Sequence, residues 1–389
     1  MRPPIADSYW VVPGKLLAGE YPGAKLDADA DPRLAAFTAA GITSFVDLTE
    51  EIEGLTPYSR LLEGARCERL PIQDGGCPTP VEMRAILDWI DSEIADGHVV
   101  YVHCWGGHGR TGTVIGCWLV RHGAVPEAAL TRIGELRRDV PDAAWMPSPE
   151  TDDQIRLVER WLRRDGEAAL THAIRVASPA LAQLAMHHEL GETRDLQPEM
   201  VAALQALLRN GVWPNAKIPI PRWEGIGHVD VAVREKDDED ALALAAELKW
   251  GKPDEGVWDV FKMALLATEP KVAATFLVGG ISKRQVETGF CVDLLDTARH
   301  QTVEICARRY PTGAKRYVWD WMLEGGWDRY PGAVPAEIAT RLVAREPIDA
   351  AGAELRVVRV LPSGPDISFV GGWPNGTRPP AARRPAAPG

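Results

Sequence analysis

The chain has 389 residues, 46% of them hydrophobic, so it is long enough for two or three domains with substantial cores. Its 55 acidic residues outnumber its 43 basic residues, and the formal net charge of −12 argues against a generally basic nucleic-acid-binding surface. No apolar run in the sequence approaches the roughly 18 residues that a membrane helix needs, so we expect no membrane partner.

The cysteines and the N-terminal residues indicate the cellular compartment of the protein, and the C-terminal residues indicate a tail. The six cysteines are scattered and contain no CxxC pair, which is typical of a reduced, intracellular protein. The residues before Tyr9 contain no apolar signal core. We therefore expect a cytoplasmic protein. The Pro-, Ala- and Arg-rich residues 376–389 are predicted to form a disordered tail.

Residues 1–168 alternate predicted strands with predicted helices. The Pro13-Gly14 turn separates two short strands, and a helix over residues 31–40 precedes a buried strand over residues 42–48. A further short strand is predicted over residues 66–72. This alternation predicts an α/β domain with a mostly parallel sheet flanked by helices.

The same alternation continues toward the middle of the chain. Thr79 and Glu82 form a capping box that opens a helix ending near Gly97. An apolar strand over residues 99–102 follows, and then three more helices. The last of these helices is predicted to open at Ser148-Pro149-Glu150.

The most informative stretch lies between that apolar strand and the next helix. Cys104 and Arg110 stand on either side of five residues, three of which are glycines. A loop of this kind at a helix N-terminus directs backbone N–H groups inward, binds an anion and favours a thiolate. The planar guanidinium of Arg110 suits two phosphoryl oxygens. The predicted phosphate-binding loop consists of His103, Trp105, Gly106, Gly107, His108 and Gly109 around the thiol.

Three other residues complete the predicted site. Asp74 lies in a Gly-rich loop after a strand and can protonate the leaving oxygen. The hydroxyl of Thr111 can donate to the Cys104 sulfur when it leaves, and Gln154 can position the water that attacks a phosphocysteine. Alternatively, Cys104, His103 and His108 are metal ligands. A metal site needs further ligands, and no second cluster of ligand residues accompanies these three in the sequence.

By these residues the chain resembles the cysteine-based protein tyrosine and dual-specificity phosphatase superfamily. The matching motif is Cys104, five residues, Arg110 and Thr111, and the resemblance covers about the first 165 residues. It implies a phosphocysteine intermediate, no metal cofactor, and roles for Cys104 as nucleophile, Asp74 as general acid and Gln154 as the water-positioning residue. His108 departs from the family pattern, and the absence of lysine from the loop favours a phosphoprotein over a phosphoinositide substrate.

Residues 169–375 are predicted to form a second α/β domain. Asp230 lies on one predicted strand, and Glu247 and Lys249 share a face of the next strand. This pattern resembles the PD-(D/E)xK nuclease-like superfamily over about residues 195–310, and it implies a restriction-endonuclease-like domain. There, Asp230 and Glu247 with Lys249 are expected to bind Mg²⁺ and activate a water.

The sequence thus favours a phosphatase that acts on a phosphorylated protein (phosphotyrosine or phosphoserine/threonine) or on a small phosphoester. Two alternatives stay open at this point. One is a Mg²⁺-dependent nuclease, with nucleic acid as its partner, that the N-terminal domain regulates. The other is a phosphatase with a non-catalytic C-terminal targeting module.

Overall fold

The computed structural model describes residues 1–23, 30–59, 62, 64–141, 143–208, 211–221, 226–235, 240–250, 256–281, 301–304, 333–335, 337–349, 352–361 and 366–368. The chain divides into two compact units, Met1–Ala168 and Ala169–Gly389. Within the described ranges, no helix combines the length and apolarity that crossing a bilayer demands. The predicted tail over residues 376–389 lies outside the described residues.

The first unit contains a five-stranded mixed sheet. Its strands are β1 (Ser8–Val12), β2 (Leu16–Gly19), β3 (Ser44–Asp47), β4 (Arg66–Arg69) and β5 (Val100–His103). The strand order is β1-β2-β5-β3-β4, with β1 and β2 antiparallel and the other three pairings parallel. The predicted hairpin at Pro13-Gly14 is confirmed, and so is the largely parallel character of the sheet.

Five helices surround this sheet. They are α1 (Ala30–Ala39), α2 (Pro80–Ala95), α3 (Gly109–Arg121), α4 (Pro126–Leu136) and α5 (Asp152–Arg160). The capping box at Thr79 and Glu82 is confirmed, because each side chain accepts the backbone N–H of the other residue. All four residues of β5 are buried, as expected for the central strand of a covered parallel sheet.

One predicted helix start is wrong. The sequence Ser148-Pro149-Glu150 was predicted to open the last helix, but α5 begins at Asp152. Thr151 is its N-cap and forms a capping box with Gln154. The Ser148–Pro149 peptide bond is cis, and these residues form the approach to the helix.

Helix α3 carries a buried arginine in its last turn. Arg121 donates from Nε to Asp165 at 2.6 Å and from Nη1 to Asp88 at 2.8 Å and Asp91 at 3.2 Å. Trp118 donates from Nε1 to Asp91 at 2.9 Å. Burial lowers the pKa of Arg121, but the surrounding carboxylates raise it well above its ordinary value, so the guanidinium stays charged.

Among its described residues, the second unit contains three α-helices and nine strands. Its helices are α6 (Gly166–Ala185, whose first residues precede the boundary), α7 (Gln197–Leu208) and α8 (Gly256–Leu266). Its strands are β6 (Val212–Pro219), β7 (Ile226–Arg234), β8 (Leu242–Trp250), β9 (Thr275–Ile281), β10 (Gln301–Glu304), β11 (Ala333–Pro335), β12 (Glu337–Pro347), β13 (Glu354–Val360) and β14 (Asp366–Ser368).

Seven of these strands form one sheet in the order β10-β12-β13-β9-β8-β7-β6. The pairings are antiparallel except for β8 with β9, which are parallel and are joined through α8. Pro179 lies inside α6. A proline removes only one backbone N–H, and burial of Leu170, Ile174 and Leu181 in one cluster holds the helix together around it.

Candidate active site

The candidate nucleophile lies at the junction of β5 and α3. β5 ends at His103, and α3 begins at Gly109, so Cys104 opens the connecting loop at the carboxyl edge of the central strand. The side chain of Cys104 is buried, and its Sγ accepts the backbone N–H of Gly107 at 3.3 Å. The thiol therefore points into the cradle of N–H groups that the sequence predicts.

Close packing against backbone atoms requires a glycine at position 107 of the loop. Gly107 has a φ of 74°, and a Cβ there would lie 2.3 Å from the carbonyl carbon of Gly19. A Cβ on Gly109 would lie 2.6 Å from Oε2 of Glu150. The backbone of Trp105 is also fixed, because its carbonyl accepts the N–H of Tyr21 at 3.1 Å. The loop is thus fitted against β2 and the segment before α5.

Arg110 is buried on the first turn of α3 and is held by two carboxylates. Its Nη1 and Nη2 donate to the two oxygens of Glu53 at 2.5 and 3.0 Å, a bidentate pair. Nη2 also lies 2.9 Å from Oδ1 of Asp74. Nη1 further donates to the carbonyl of Ile72 at 3.1 Å. These contacts fix the plane of the guanidinium before any substrate arrives.

The predicted general acid, Asp74, therefore lies beside the predicted phosphate-binding arginine. Its side chain is 75% exposed, whereas that of Arg110 is 2% exposed. The backbone N–H of Asp74 donates to Oε2 of Glu50 at 3.3 Å. Because Asp74 lies exposed on a loop, it can leave its ion pair with Arg110 and contact the oxygen of a leaving group without disturbing the core.

Gln154 is buried and is engaged at both ends of its side-chain amide. Its Oε1 accepts the N–H groups of Glu150 at 2.9 Å and Thr151 at 3.2 Å. Its Nε2 donates to the carbonyl of Gly76, two residues after Asp74, at 3.0 Å. In this state Gln154 connects α5 to the Asp74 loop, and its role in positioning water stays a prediction.

His103 lies beneath the loop and is fully buried. Its Nδ1 donates to the carbonyl of Cys104 at 3.3 Å, and its Nε2 accepts the hydroxyl of Tyr58 at 2.5 Å, a tautomer assigned from these partners. Burial lowers the pKa of His103 to about 4, so the ring is neutral at pH 7. Thr111 is also buried, and its hydroxyl has no hydrogen-bond partner within the described residues.

His108 is the loop residue without an assigned role. Its imidazole lies against Gly106, where a Cβ would lie 2.8 Å from Nε2. Its Nδ1 faces Oε2 of Glu150 at 3.6 Å. Its backbone carbonyl accepts the hydroxyl of Ser148 at 2.7 Å, which ties the loop to the segment before α5.

Glu53, the bidentate partner of Arg110, is a residue of the candidate site that the sequence analysis did not single out. It lies in the short helical turn Glu51–Glu53 after β3, the strand next to β5 in the sheet. The carboxyl ends of neighbouring parallel strands meet at one edge, where ligands bind in α/β folds. The sequence signal for Glu53 is the run of acidic residues directly after β3. This run matters because β3 pairs with β5, the strand that leads into the loop of Cys104.

The three residues of the predicted metal site in the second unit pair with other groups. Asp230 accepts the backbone N–H of Leu248 at 2.7 Å. Glu247 forms an ion pair with Lys262 of α8. Lys249 lies 3.0 Å from Asp259 and 3.3 Å from Glu192.

These pairings occupy the side chains of the expected magnesium site, which stays a prediction. Burial raises the pKa of Glu247 well above its usual value, although Lys262 opposes this effect. Burial lowers the pKa of Lys249, but Asp259 and Glu192 outweigh it and raise that pKa above its usual value. Within the described ranges, no group of three or more His, Cys, Asp or Glu side chains is arranged to hold a metal ion. In this cluster Glu247 and Lys249 each belong to a lysine–carboxylate pair, whereas Asp230 accepts a backbone N–H.

The geometry of the first unit agrees with a comparison of the sequence with known families. Residues 6–159 match the family model PTP-SAK, described as "Swiss Army Knife protein, DSP-PTPase phosphatase domain". This N-terminal region belongs to the cysteine-based tyrosine and dual-specificity phosphatase superfamily. The match ends before the second unit begins, and the resemblance of that unit to nucleases is unconfirmed.

Individual relatives of this superfamily align with parts of the chain. It is 41% identical over 86 residues (21% of the chain) to "Putative tyrosine phosphatase 067L" of Invertebrate iridescent virus 3. It is 32% identical over 108 residues (27% of the chain) to "Phosphatidylglycerophosphate phosphatase PTPMT1" of Arabidopsis thaliana. The chain spans about a third of each relative, 35% and 32%. The crystal structure of Tk-PTP in its active form is 26% identical, with a TM-score of 0.33, and the match covers 40% of this chain and 95% of that one.

Proposed function

We propose that this protein is a phosphatase that hydrolyses phosphate monoesters through a phosphocysteine intermediate. The observation that carries the proposal is the burial of Cys104 and Arg110 in one loop, with the Gly107 N–H donating to the sulfur. The match of residues 6–159 to a phosphatase family supports it.

In the first step the thiolate of Cys104 attacks phosphorus, and the bond from phosphorus to the ester oxygen breaks. Backbone N–H groups of the loop and the guanidinium of Arg110 hold the phosphoryl oxygens as charge redistributes. Asp74, which takes up a proton from solvent on leaving Arg110, moves to the leaving oxygen, gives it that proton and becomes a carboxylate. A positioned general acid of this kind is typically worth ~10²–10⁴-fold in rate.

In the second step a water attacks the phosphocysteine. The Asp74 carboxylate takes a proton from the water, and the sulfur–phosphorus bond breaks to release inorganic phosphate and the thiolate. The buried hydroxyl of Thr111, which has no partner within the described part of the chain, is available to donate to that thiolate. Gln154 is available to orient the water only after it releases Gly76.

The chemistry is tested by hydrolysis of an aryl phosphate in excess chelator. We expect the 389-residue chain to be active without added metal, because the mechanism uses only side chains and backbone N–H groups. Cys104→Ser removes the nucleophile and Arg110→Lys removes the planar fork, so both should lose activity. Unchanged activity in Cys104→Ser would end the proposal.

We propose a phosphorylated protein, with phosphotyrosine or phosphoserine/threonine, as the substrate, and small phosphoesters as the alternative. The loop contains no lysine that would recognise a polyanionic lipid headgroup. One relative is named a phosphatidylglycerophosphate phosphatase, so a lipid must be included in the test. The Cys104→Ser and Asp74→Ala variants should retain phosphopeptides from a mixed panel. Retention of phospholipids alone would contradict the protein substrate.

We also propose a reducing, cytoplasmic location for the protein. Cys67, Cys77, Cys104 and Cys117 are free thiols, and the reaction needs the third of these reduced. For the second unit we propose a targeting role without chemistry of its own, because Glu247 and Asp259 are paired with lysines. Removal of Mg²⁺ should therefore leave every activity of the full chain unchanged. Divalent-metal-dependent cleavage of DNA would refute this assignment.

A further inference from the structure

His108 is fixed at the nucleophile loop by its neighbours. Its side chain is 13% exposed, and its ring lies over Gly106. The Nδ1 atom is buried and lacks a hydrogen-bond partner within the described residues. The nearest carboxylate oxygen, Oε2 of Glu150, is 3.6 Å away, slightly beyond hydrogen-bond distance. A small rotation of either side chain would close that gap.

Charged groups face the imidazole from four segments of the first unit. They are Glu150 before α5, Arg137 after α4, Arg110 on α3 and Asp74 on the acid loop. Burial lowers the pKa of His108 below its usual value, and the two arginines add to that effect. Glu150 and Asp74 act in the opposite direction but do not outweigh the burial. The net lowering of the His108 pKa favours the neutral imidazole.

We propose that His108 takes up a proton when a dianion occupies the nucleophile loop, so that the loop binds dianions more tightly as the pH falls. The inference rests on the proposed function, because it assumes that the loop binds a phosphoryl group. The proton comes from solvent, and the protonated ring donates from Nδ1 to Oε2 of Glu150.

The charges around the loop support a coupling between dianion binding and protonation of His108. The guanidinium of Arg110 is shared with Glu53 and Asp74, so a dianion meets a site in which the positive charge is already neutralised. An opposite charge within about 4–6 Å favours the charged form of a titrating group. The dianion therefore favours protonation of His108. Because coupling is reciprocal, protonation must raise the affinity for the dianion by the same factor.

Sulfate is the probe, because it stays dianionic throughout the range in which histidine titrates, whereas a phosphate monoester titrates itself. Binding is measured by calorimetry on full-length Cys104→Ser between about pH 8 and about pH 5. We expect affinity to rise by about tenfold toward the acidic end, as is common for coupled sites. Adding His108→Gln should remove most of that rise. Adding Glu150→Gln instead should shift the rise in sulfate affinity to lower pH.

A second readout follows the proton directly. The NMR titration of the His108 ring should shift to higher pH when sulfate is added. His122, at the other end of α3 and paired with Asp91 at 2.9 Å, is an internal control that should not respond. The proposal is overturned if the His108 titration ignores sulfate, or if His108→Gln keeps the full rise in affinity. Absence of sulfate binding at every pH would instead defeat the proposed function together with this inference.

Discussion

Gln154 donates from Nε2 to the carbonyl of Gly76 at 3.0 Å and so joins the first turn of α5 to the loop that carries Asp74. The oxygen of the same amide accepts two backbone N–H groups at the start of that helix. The position of Asp74, the proposed general acid, therefore depends on Gln154, which lies 80 positions further along the chain.

Gln154→Glu should weaken catalysis in a way that depends on the leaving group. A carboxylate keeps the acceptor for the N–H groups but loses the donor to Gly76, so the Asp74 loop is released. We expect kcat for an alkyl phosphate to fall by about tenfold or more, part of the ~10²–10⁴-fold that a general acid supplies. An aryl phosphate with a good leaving group should be affected much less.

The control for this variant is Glu159→Gln, an exposed position on the same helix. Steady-state kinetics with the two substrates is the measurement. An equal loss for alkyl and aryl phosphates would show that Gln154 acts on something other than the acid loop.

Glu53→Ala should lower kcat/KM because Arg110 loses its bidentate partner. Small displacements of a positioning group cost up to about 10²-fold in rate, and we expect a loss between about tenfold and that value. Glu51→Ala is the matched control in the same turn, since its side chain is 94% exposed. Both variants are assayed on an aryl phosphate. Indistinguishable kinetics would mean that the Glu53 contact does not orient the arginine.

His103 makes the stability of the protein depend on pH. Its folded pKa of about 4 lies below the unfolded value of 6.5. As the pH falls between these values, the unfolded chain binds a proton that the folded chain does not, so the free energy of unfolding decreases. The full effect is about 3 kcal/mol, at 1.36 kcal/mol for each pKa unit.

Urea unfolding of the full chain at several pH values measures this dependence. His103→Gln removes the titrating group, so its unfolding free energy should fall less steeply with decreasing pH than that of the wild type. Parallel pH dependences would contradict the low pKa. NMR titration of the His103 ring tests the same point if the variant does not fold.

Gly107→Ala should destabilise the loop because a methyl group there meets the backbone of Gly19 and Glu20 at 2.3 and 2.4 Å. The positive φ adds strain for any residue with a Cβ. We expect loss of activity and a lower melting temperature. Gly134→Ala in α4, where nothing lies within 4 Å, should instead stabilise the protein by up to about 1 kcal/mol. Retained activity in Gly107→Ala would show that the loop adapts.

The sequence predicted much of the first unit because its signals are local. The capping box at Thr79, the turn at Pro13-Gly14 and the strand–loop–helix pattern around Cys104 each occupy neighbouring residues. Contacts between distant residues were missed. The Glu53–Arg110 pair joins positions 57 apart, and no periodic pattern reports it.

The second unit shows the same limit more strongly. Alternation correctly located β8, with Glu247 and Lys249 on one face of it. It did not indicate that Lys262 of α8 and Glu192 would supply their partners. A motif of three residues specifies neither the burial of its members nor the countercharges around them, and these decide whether a carboxylate is free to bind a cation.

Helix α3 is held by carboxylates at both of its ends, through Arg110 in its first turn and Arg121 in its last. Such a helix cannot slide along its axis without breaking an ion pair at one end. Its amide protons should therefore be among the slowest in the unit to exchange with solvent, and the Asp74 loop among the fastest. The proposed nucleophile thus lies directly before a helix that is anchored at both ends, and the proposed mechanism requires motion only of the exposed Asp74 loop.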